Sequence, residues 1–170
     1  LKAVALDKTG TITEGKPKLA ATEILASNIP ESQVLRWTAD LACHSDHPVS
    51  KAIAQGLDQG NGVLEGFTAL PGRGIQARTD GQTLTLGNHR LIEERGLCSA
   101  AIEARLEEHE SQGRTVTMLA SSAQVLAIFA VADTIKESSR KALAELHALG
   151  VVSVMLTGDN TATAKTIAKQ

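Results

Sequence analysis

Short apolar runs followed by glycine-containing loops occur near both ends of the chain. Near the start, Ala3–Leu6 read AVAL and end at Asp7, in front of a glycine-containing segment. Near the end, Val151–Leu156 run into the loop Thr157–Asn160, and residues 161–169 then follow a helical pattern. This layout predicts two buried strands, each of which ends in a loop.

A helix is predicted between these two strands. Thr134–Glu137 have the S/T-x-x-E form of a capping box. Leu143, Leu146 and Leu149 then keep helical spacing up to Gly150, which is a typical residue after a helix end. A strand at the start, and a helix followed by a strand at the end, favour parallel α/β layering.

The middle of the chain has the alternating pattern of antiparallel strands. Residues 74–79 and 82–86 alternate apolar and polar side chains on either side of Asp80-Gly81, a favoured two-residue hairpin turn. A second hairpin is predicted between residues 115–120 and 124–130. Helices are predicted at Glu31–Ala42, Pro48–Leu57 and Ser99–Gln112. We therefore predict an α/β protein in which an antiparallel α+β unit, residues 17–130, is inserted between residues 1–16 and 131–170 of a parallel unit.

Composition excludes several classes of function. The 17 Lys and Arg residues are balanced by 19 Asp and Glu residues, and only 2% of residues are aromatic, so no nucleic-acid surface is expected. The two cysteines form no CxxC pair, which argues against a disulfide scaffold or a zinc knuckle. The longest apolar run, Val125–Ala132, is far shorter than the ~20 residues of a membrane-crossing helix. Because the first residue is Leu rather than Met, residues 1–6 read as a strand and residues 163–170 lie inside a helical pattern, we expect a segment of a longer protein.

The first group of candidate residues is Asp7-Lys8-Thr9-Gly10-Thr11, at the end of a predicted strand. Ligands of open parallel sheets bind at this edge, and a carboxylate there can accept a phosphoryl group. Phosphatases of such a fold usually carry a second Asp two positions after the nucleophile, and here that position is Thr9. Thr cannot serve as a general acid, so a phosphorylated intermediate is expected to persist. A strand-terminal Asp that only caps a turn is the structural alternative.

The string DKTGT, the loop TGDN and the string VADTIK together resemble P-type ATPases, in which they mark the phosphorylation motif, a second loop and a hinge. The resemblance implies a partial, haloacid-dehalogenase-like phosphorylation domain at 1–16 and 131–170. It also implies that ATP phosphorylates Asp7 and that the Asp7 carboxylate and the Thr9 carbonyl hold Mg²⁺. The catalytic set it implies is Asp7, Lys8, Thr9, Thr157, Gly158 and Asp159.

A second group resembles the nucleotide-binding domain of heavy-metal-transporting P-type ATPases, which would occupy residues 17–130. It consists of a Ser-x-His-Pro motif, a GxG segment and a Gly-Asn pair. The resemblance implies that His47 orients the adenine of ATP, although a lone His before a helix is otherwise a capping or packed residue. The nucleotide-binding set it implies is Asp46, His47, Gly72, Gly74, Ile75, Gly87 and Asn88.

Two features near this group bear on the interpretation. Members of the family often carry a Glu five positions before the motif His, and Ala42 stands there instead, which predicts weaker adenine binding. A metal site built from Cys43, His44, His47 and Cys98 is not expected, because a structural zinc site needs four ligands with recognisable pair spacing. Cys98 is instead interpreted as a small apolar residue before the helix cap Ser99.

As a whole, the resemblance implies the ATP-binding and phosphorylation segment of a heavy-metal efflux ATPase at the cytoplasmic face of a membrane. Its partners would be ATP, the transported metal ion, and the transmembrane and actuator domains. The string Leu86–Leu91 with Glu93-Glu94 favours a zinc, cadmium or lead exporter, with a copper exporter as the alternative. A soluble phosphohydrolase and a pure binding module are the further alternatives. The family's GDGxND motif is absent here, so we expect ATP binding without full activity.

Overall fold

A computed structural model describes residues 2–58, 60–158 and 161–170. Within these residues the strands form a two-stranded parallel sheet, β1-β8, and a six-stranded antiparallel sheet in the order β2-β7-β6-β5-β4-β3. The strands are β1 Ala3–Asp7, β2 Lys18–Ile24, β3 Glu65–Leu70, β4 Gly74–Thr79, β5 Gln82–Gly87, β6 Thr115–Ala120, β7 Val125–Ala132 and β8 Val152–Leu156. The helices are α1 Glu31–Ala42, α2 Pro48–Gly56, α3 His89–Glu94, α4 Ala100–Ser111, α5 Glu137–Ala148 and α6 Thr161–Ala168.

The parallel pair β1-β8 confirms the predicted α/β unit. The strands pair in register from Ala3 opposite Val152 to Asp7 opposite Leu156, so their carboxyl ends lie at one edge. Helix α5 packs against β8, as expected for the element that precedes a parallel strand. Val152, Val154 and Leu156 are about half exposed, at 60%, 47% and 54%.

The start of α5 differs from the prediction. The helix begins at Glu137, and no side chain caps it, so Thr134 does not open a capping box. The backbone just before the helix is instead used for pairing with the start of the chain. The amide of Glu14 donates to the carbonyl of Thr134 at 2.8 Å, and Lys136 donates to Ile12 at 3.0 Å. These bonds hold residues 134–136 extended, which competes with helix formation.

Both predicted hairpins are confirmed. Asp80 and Gly81 join β4 to β5 with φ of 50° and 77°, the left-handed values that a type I′ turn needs at both central positions. The Asp80 carboxylate also accepts hydrogen bonds from Trp37 Nε1 at 2.8 Å and from Gln33 and Arg36, so it fastens α1 to the hairpin. The Trp37 bond and the Arg36 charge lower the pKa of Asp80 below its ordinary value.

The long apolar run of β7 is buried because helices cover both faces of the antiparallel sheet. On one face, Phe129 packs with Trp37 of α1 and Ile53 of α2. On the other face, Ile128 packs with Leu106 of α4 and with α3. A strand covered on both sides reads as a continuous apolar run rather than as an alternation. The predicted domain boundaries at 16/17 and 130/131 stay a prediction.

Three elements were missed by the sequence prediction: β2, β3 and α3. Strands β2 and β3 are the two edges of the antiparallel sheet, and β3 has almost no buried side chain. Strand β3, with no buried face, shows no strong hydrophobic period, which is the signal that sequence reading relies on, whereas β2 alternates exposed and half-buried side chains and its period was overlooked. Helix α3 has six residues, too few for a helical period to appear.

An ion-pair cluster joins β2 to α4. Glu23 accepts from Arg105 Nη1 and from His109 Nε2, both at 2.7 Å. Arg114 Nη1 lies 3.1 Å from the other ring nitrogen of His109, Nδ1. Burial alone would raise the pKa of Glu23, but the bonds and charges of His109 and Arg105 together lower the pKa below its ordinary 4.5.

Replacing Glu23 with Gln is expected to lower the Tm of the protein by about 2–4 °C at neutral pH. Because the folded-state pKa is depressed, the stabilisation is present above pH 4.5 and is lost as the pH falls through the folded-state pKa. The difference in Tm between the E23Q variant and the parent should therefore shrink in acid. Thermal unfolding from pH 7 to pH 3 measures it, with Glu107→Gln on the exposed side of α4 as the control. Equal losses in E23Q and E107Q would contradict the expectation.

Candidate functional site

Two of the predicted catalytic segments lie side by side at the carboxyl edge of the parallel sheet. Asp7 is the last residue of β1 and pairs with Leu156, so Thr157 follows directly beside it. The Asp7 side chain is exposed, and no hydrogen bond or ion pair joins its carboxylate to another described residue. Gly158 is exposed next to Thr157. Asp159, the last member of the predicted catalytic set, lies outside the described residues.

The segment after Asp7 folds into a tight turn at Lys8–Ile12. Gly10 has φ of 77°, a left-handed value that favours glycine, so the turn needs a glycine at this point of the motif. Thr9 is exposed on the turn, whereas Lys8 is only 7% exposed. The Gly10 amide donates to the buried hydroxyl of Thr13 at 3.3 Å, which closes the turn.

The chain that returns from the antiparallel unit holds this turn in place. The Thr13 hydroxyl donates to Asp133 Oδ2 at 2.7 Å, and the Lys16 amide reaches the other oxygen of Asp133 at 3.2 Å. The Lys136 ammonium donates to the Gly10 carbonyl, and Ser139 donates to the Thr11 carbonyl at 3.0 Å. The turn around the candidate nucleophile is therefore set by residues more than a hundred positions away in sequence.

Sequence reasoning missed these supporting residues: Thr13, Asp133, Lys136 and Ser139. The string VADTIK was noted as a hinge, and it contains Asp133 and Lys136. Nothing in a single sequence says that Asp133 reaches Thr13, because that contact exists only after β2 and β7 have paired, with Lys18 opposite Ala132. The signal available in the sequence was the position of Asp133, directly after the long apolar run of β7.

The predicted nucleotide-binding residues from the GxG segment and the Gly-Asn pair are brought together. Gly74 pairs with Gly87 across β4 and β5. Asn88 links the two segments, because its Nδ2 donates to the Gly72 carbonyl at 2.9 Å and its backbone amide donates to the Arg73 carbonyl at 2.8 Å. Its Oδ1 accepts from Leu91 N at 3.0 Å and so caps α3.

The glycines of this cluster differ in how much space surrounds the position of a Cβ atom. A Cβ on Gly74 would lie 2.2 Å from the Leu86 carbonyl oxygen, so the approach of β5 requires glycine there. Gly72 has φ of 68°, but a Cβ there would meet nothing within 4 Å. The side chain of Ile75 is 5% exposed and belongs to the core. Open space for a ligand is therefore found beside Gly72 and not beside Gly74 or Ile75.

Asp46 and His47 lie at the start of α2. His47 is the N-cap of the helix, and its Nδ1 accepts from Val49 N at 3.3 Å. Asp46 is exposed and pairs with Lys51 at 3.3 Å. Both His47 and Asp46 expose their side chains. The capping role expected for a lone His before a helix is thus present, and it leaves most of the ring free to meet a ligand.

The loop between α1 and α2, which ends at His47, reaches the sheet edge beside the GxG segment. His44 lies with its ring centroid 5.8 Å from that of Phe67 on β3, and its Nδ1 lies 2.8 Å from the Asp40 carbonyl. Strand β3 in turn pairs with β4, with Leu70 opposite Gly74. Among the described contacts, none joins His47 directly to the Gly72 cluster or to Asp7. The described contacts therefore do not join the three groups of predicted residues into one closed pocket.

The oxygen groups at the Asp7 edge suit a Mg²⁺ ion. Mg²⁺ prefers carboxylate, carbonyl and water oxygens and is usually held by one or two carboxylates together with substrate phosphate. Asp7 offers an exposed carboxylate without another partner in the described part of the chain, and Thr9 follows it on an exposed turn. These donors fit the ion that the sequence predicts.

A family model described as a haloacid dehalogenase-like hydrolase matches residues 1–170. The chain belongs to this family. Asp7 at the end of β1 and the tight glycine turn after it lie within the matched residues. The antiparallel sheet, from β2 to β7, lies between β1 and β8 in the sequence of this haloacid dehalogenase-like chain.

The sequence relatives of this haloacid dehalogenase-like chain are heavy-metal P-type ATPases. It is 39% identical over 173 residues to a copper-exporting P-type ATPase of Bacillus subtilis, covering 100% of this chain and 21% of that protein. It is 35% identical over 175 residues to a probable cadmium-transporting ATPase of Staphylococcus aureus, covering 98% of this chain and 24% of that protein. The chain thus spans about a quarter of the length of these curated relatives.

A solved structure shows the same fold. The crystal structure of a zinc-transporting PIB-type ATPase in an E2.Pi state is 35% identical, with a TM-score of 0.67, over 99% of this chain and 28% of that one. The resemblance to heavy-metal P-type ATPases and the predicted mixed α/β fold class are thereby confirmed. No helix in the described part of the haloacid dehalogenase-like chain has the length and apolar character needed to cross a membrane.

Proposed function

We propose that this chain is the ATP-binding and phosphorylation segment of a heavy-metal-exporting P-type ATPase, at the cytoplasmic face of its membrane. The observation that carries the proposal is the exposed Asp7 carboxylate beside Thr157, on a turn that Asp133 and Lys136 hold from the returning chain. The partners of the segment are ATP, the exported ion, and the transmembrane and actuator domains of the same protein. No nucleic acid is involved.

The proposed reaction is phosphoryl transfer to Asp7. A carboxylate oxygen of Asp7 forms a bond to the γ-phosphorus of ATP, and the bond from that phosphorus to the bridging oxygen breaks, so that ADP leaves with the bonding electrons. Thr157 and Gly158 lie beside the acceptor, where a hydroxyl and an uncrowded backbone amide suit phosphate oxygens. When bound through Asp7 and Thr9, Mg²⁺ would neutralise charge on the phosphates.

The residue type at Thr9 determines how quickly the phosphorylated Asp7 is hydrolysed. It is exposed two positions after the acceptor, where a carboxyl group would activate water against the acyl phosphate. A hydroxyl at this place is too weak a base to remove the proton of water. The intermediate therefore persists long enough to be coupled to a change of conformation, which an ion pump needs and a soluble phosphatase does not.

The nucleotide is proposed to bind across the α1-α2 loop and the β3-β4 turn. His47 and Asp46 expose their side chains at the start of α2, and His44 of the same loop contacts Phe67 of β3. Gly72 offers backbone with open space at the neighbouring turn, and Asn88 fixes that turn. In this arrangement the His47 ring faces the adenine, whereas the phosphates extend toward Asp7 when the two units close.

Replacement of His47 by Asn is expected to weaken ATP binding about 5–150-fold, because one polar partner of the base costs about 1–3 kcal/mol. Asn is chosen because it is a preferred N-cap and keeps the capping bond that His47 Nδ1 makes to Val49. Calorimetric titration with ATP measures the affinity. His147→Asn, at an exposed position of α5, is the matched control and should bind ATP like the parent. If H47N and the parent bound ATP with equal affinity, the proposed place of the adenine beside the His47 ring would be overturned.

The exported ion is proposed to be a divalent soft metal such as zinc, cadmium or lead. The string Leu86–Leu91 with Glu93-Glu94 supports this choice. Copper is the second candidate, because the Bacillus subtilis relative is a copper exporter and is 39% identical.

A further inference from the structure

Three side chains with metal-binding groups meet where α3 is joined to α4. They are His89, Cys98 and Glu103, and one ligand atom from each lies within 4.8 Å of the other two. All three are half-buried. Within the described chain this is the group of His, Cys and acidic residues close enough to share an ion, and it is separate from the Asp7 edge.

Short elements with capped ends hold the three residues in position. His89 is the first residue of α3, directly after its cap Asn88. Cys98 immediately precedes Ser99, whose side chain accepts from Ile102 N at 3.3 Å and caps α4. Glu103 follows in the first turn of that helix. The arrangement therefore depends on two helix caps and not on free loop ends.

The spacing of the three groups suits a metal ion of moderate size. His89 Nε2 lies 2.9 Å from Glu103 Oε1. In a tetrahedral zinc site with bonds of about 2.0–2.3 Å, neighbouring ligand atoms lie about 3.3–3.7 Å apart. The 2.9 Å pair must open slightly to reach this spacing, and all three ligand atoms already lie within 4.8 Å of one another, so side-chain rotation can supply the change. A fourth position is left for water.

The surroundings of Cys98 are negatively charged. Burial raises the pKa of its thiol, and the carboxylates of Glu103 and Glu93 raise it further, to about 11. The same charges that disfavour a thiolate favour a cation placed among the three groups. The other cysteine, Cys43, is exposed, and among the described residues no carboxylate and imidazole are grouped with it in this way.

We propose that His89, Cys98 and Glu103 bind a divalent cation of the Zn²⁺ or Cd²⁺ type. One sulfur, one nitrogen and one oxygen ligand suit these borderline and soft ions and do not suit Mg²⁺, which prefers oxygen alone. The bound ion links the start of α3 to the first turn of α4. Its three ligands are distinct from Asp7 and from the proposed nucleotide-binding residues, although His89 directly follows Asn88.

Titration of this protein with Cd²⁺ tests the proposal, with Mg²⁺ as the comparison ion. The parent should show the thiolate-to-Cd²⁺ charge-transfer absorption at one equivalent, and Cys98→Ser should abolish it, whereas Cys43→Ser should leave it unchanged. His89→Asn and Glu103→Gln should each weaken Cd²⁺ binding at least about tenfold, and Mg²⁺ should not compete. Absorption that is absent from the parent, or that follows Cys43 instead of Cys98, overturns the proposal.

A second measurement separates loss of the site from loss of the fold. At a Cd²⁺ concentration about 100 times the dissociation constant, the Tm of the parent should rise by about 5–10 °C. C98S should unfold near the Tm of the metal-free parent and show no such rise. A rise of equal size in C98S and the parent would place the ion elsewhere and overturn the proposal.

Discussion

Replacing Gly74 with Ala is expected to destabilise the protein by about 3 kcal/mol or more. The new Cβ would lie 2.2 Å from the Leu86 carbonyl oxygen and 2.6 Å from the Gly87 Cα, both of which are backbone atoms that cannot rotate away. Gly74 also has φ of 150°, outside the range that L side chains adopt readily. The β4-β5 pair must therefore separate. Thermal and urea unfolding of G74A measure the loss.

Gly72→Ala is the matched control, because it lies in the same GxG segment. Its φ of 68° is strained for Ala, but its Cβ would meet nothing within 4 Å. The cost should be about 1–2 kcal/mol, from backbone strain alone. Similar losses for G72A and G74A would contradict the crowding explanation. The contrast matters for function, since it identifies Gly74 as a requirement of the fold and leaves Gly72 as the glycine that a nucleotide can approach.

If the proposal is right, replacing Asp7 with Asn in the full-length protein is expected to reduce the phosphorylated enzyme to background. The amide has no negative oxygen with which to attack the γ-phosphorus, and no other exposed carboxylate ends a strand of the parallel sheet in the described chain. The measurement is acid-stable labelling from γ-labelled ATP, followed by hydroxylamine, which cleaves acyl phosphates. Asp58→Asn, in an exposed loop, is the matched control and should label like the parent.

The same variant separates the pump from a soluble phosphohydrolase. A pump accumulates the acyl phosphate and has little activity on small phosphoesters, because Thr9 replaces the carboxyl group that would activate water. Robust turnover of a small phosphoester by the parent chain, abolished in D7N, would contradict the proposal. Labelling that survives in D7N would place the acceptor elsewhere.

The features that could be predicted from the sequence are those with a local physical cause. The Asp80-Gly81 turn follows from two left-handed positions, and the paired strands β1 and β8 follow from apolar runs that end in glycine loops. Helix α1 follows from its apolar spacing. The cap of α4 at Ser99 was also expected from the residue type alone.

The features that were missed depend on contacts between distant segments. Residues 134–136 fit a capping box, but their backbone pairs with residues 12–14, so tertiary pairing overrides the local preference. Asp133 holds the turn after Asp7 only once the chain has returned. The metal-binding group at His89 was missed because its members are spread over three neighbouring elements and match no motif.

The most direct test of the central claim is to map ATP on this chain by amide chemical shifts, with and without Mg²⁺. We expect ATP to shift the amide signals of Gly72 and Asn88 and the ring signals of His47. GTP should cause smaller shifts of the same signals. In H47N, ATP should shift the amide signal of Gly72 less than in the parent. Shifts confined to Asp7 and Thr157, or no shifts at all, would contradict the claim that the antiparallel unit binds the nucleotide.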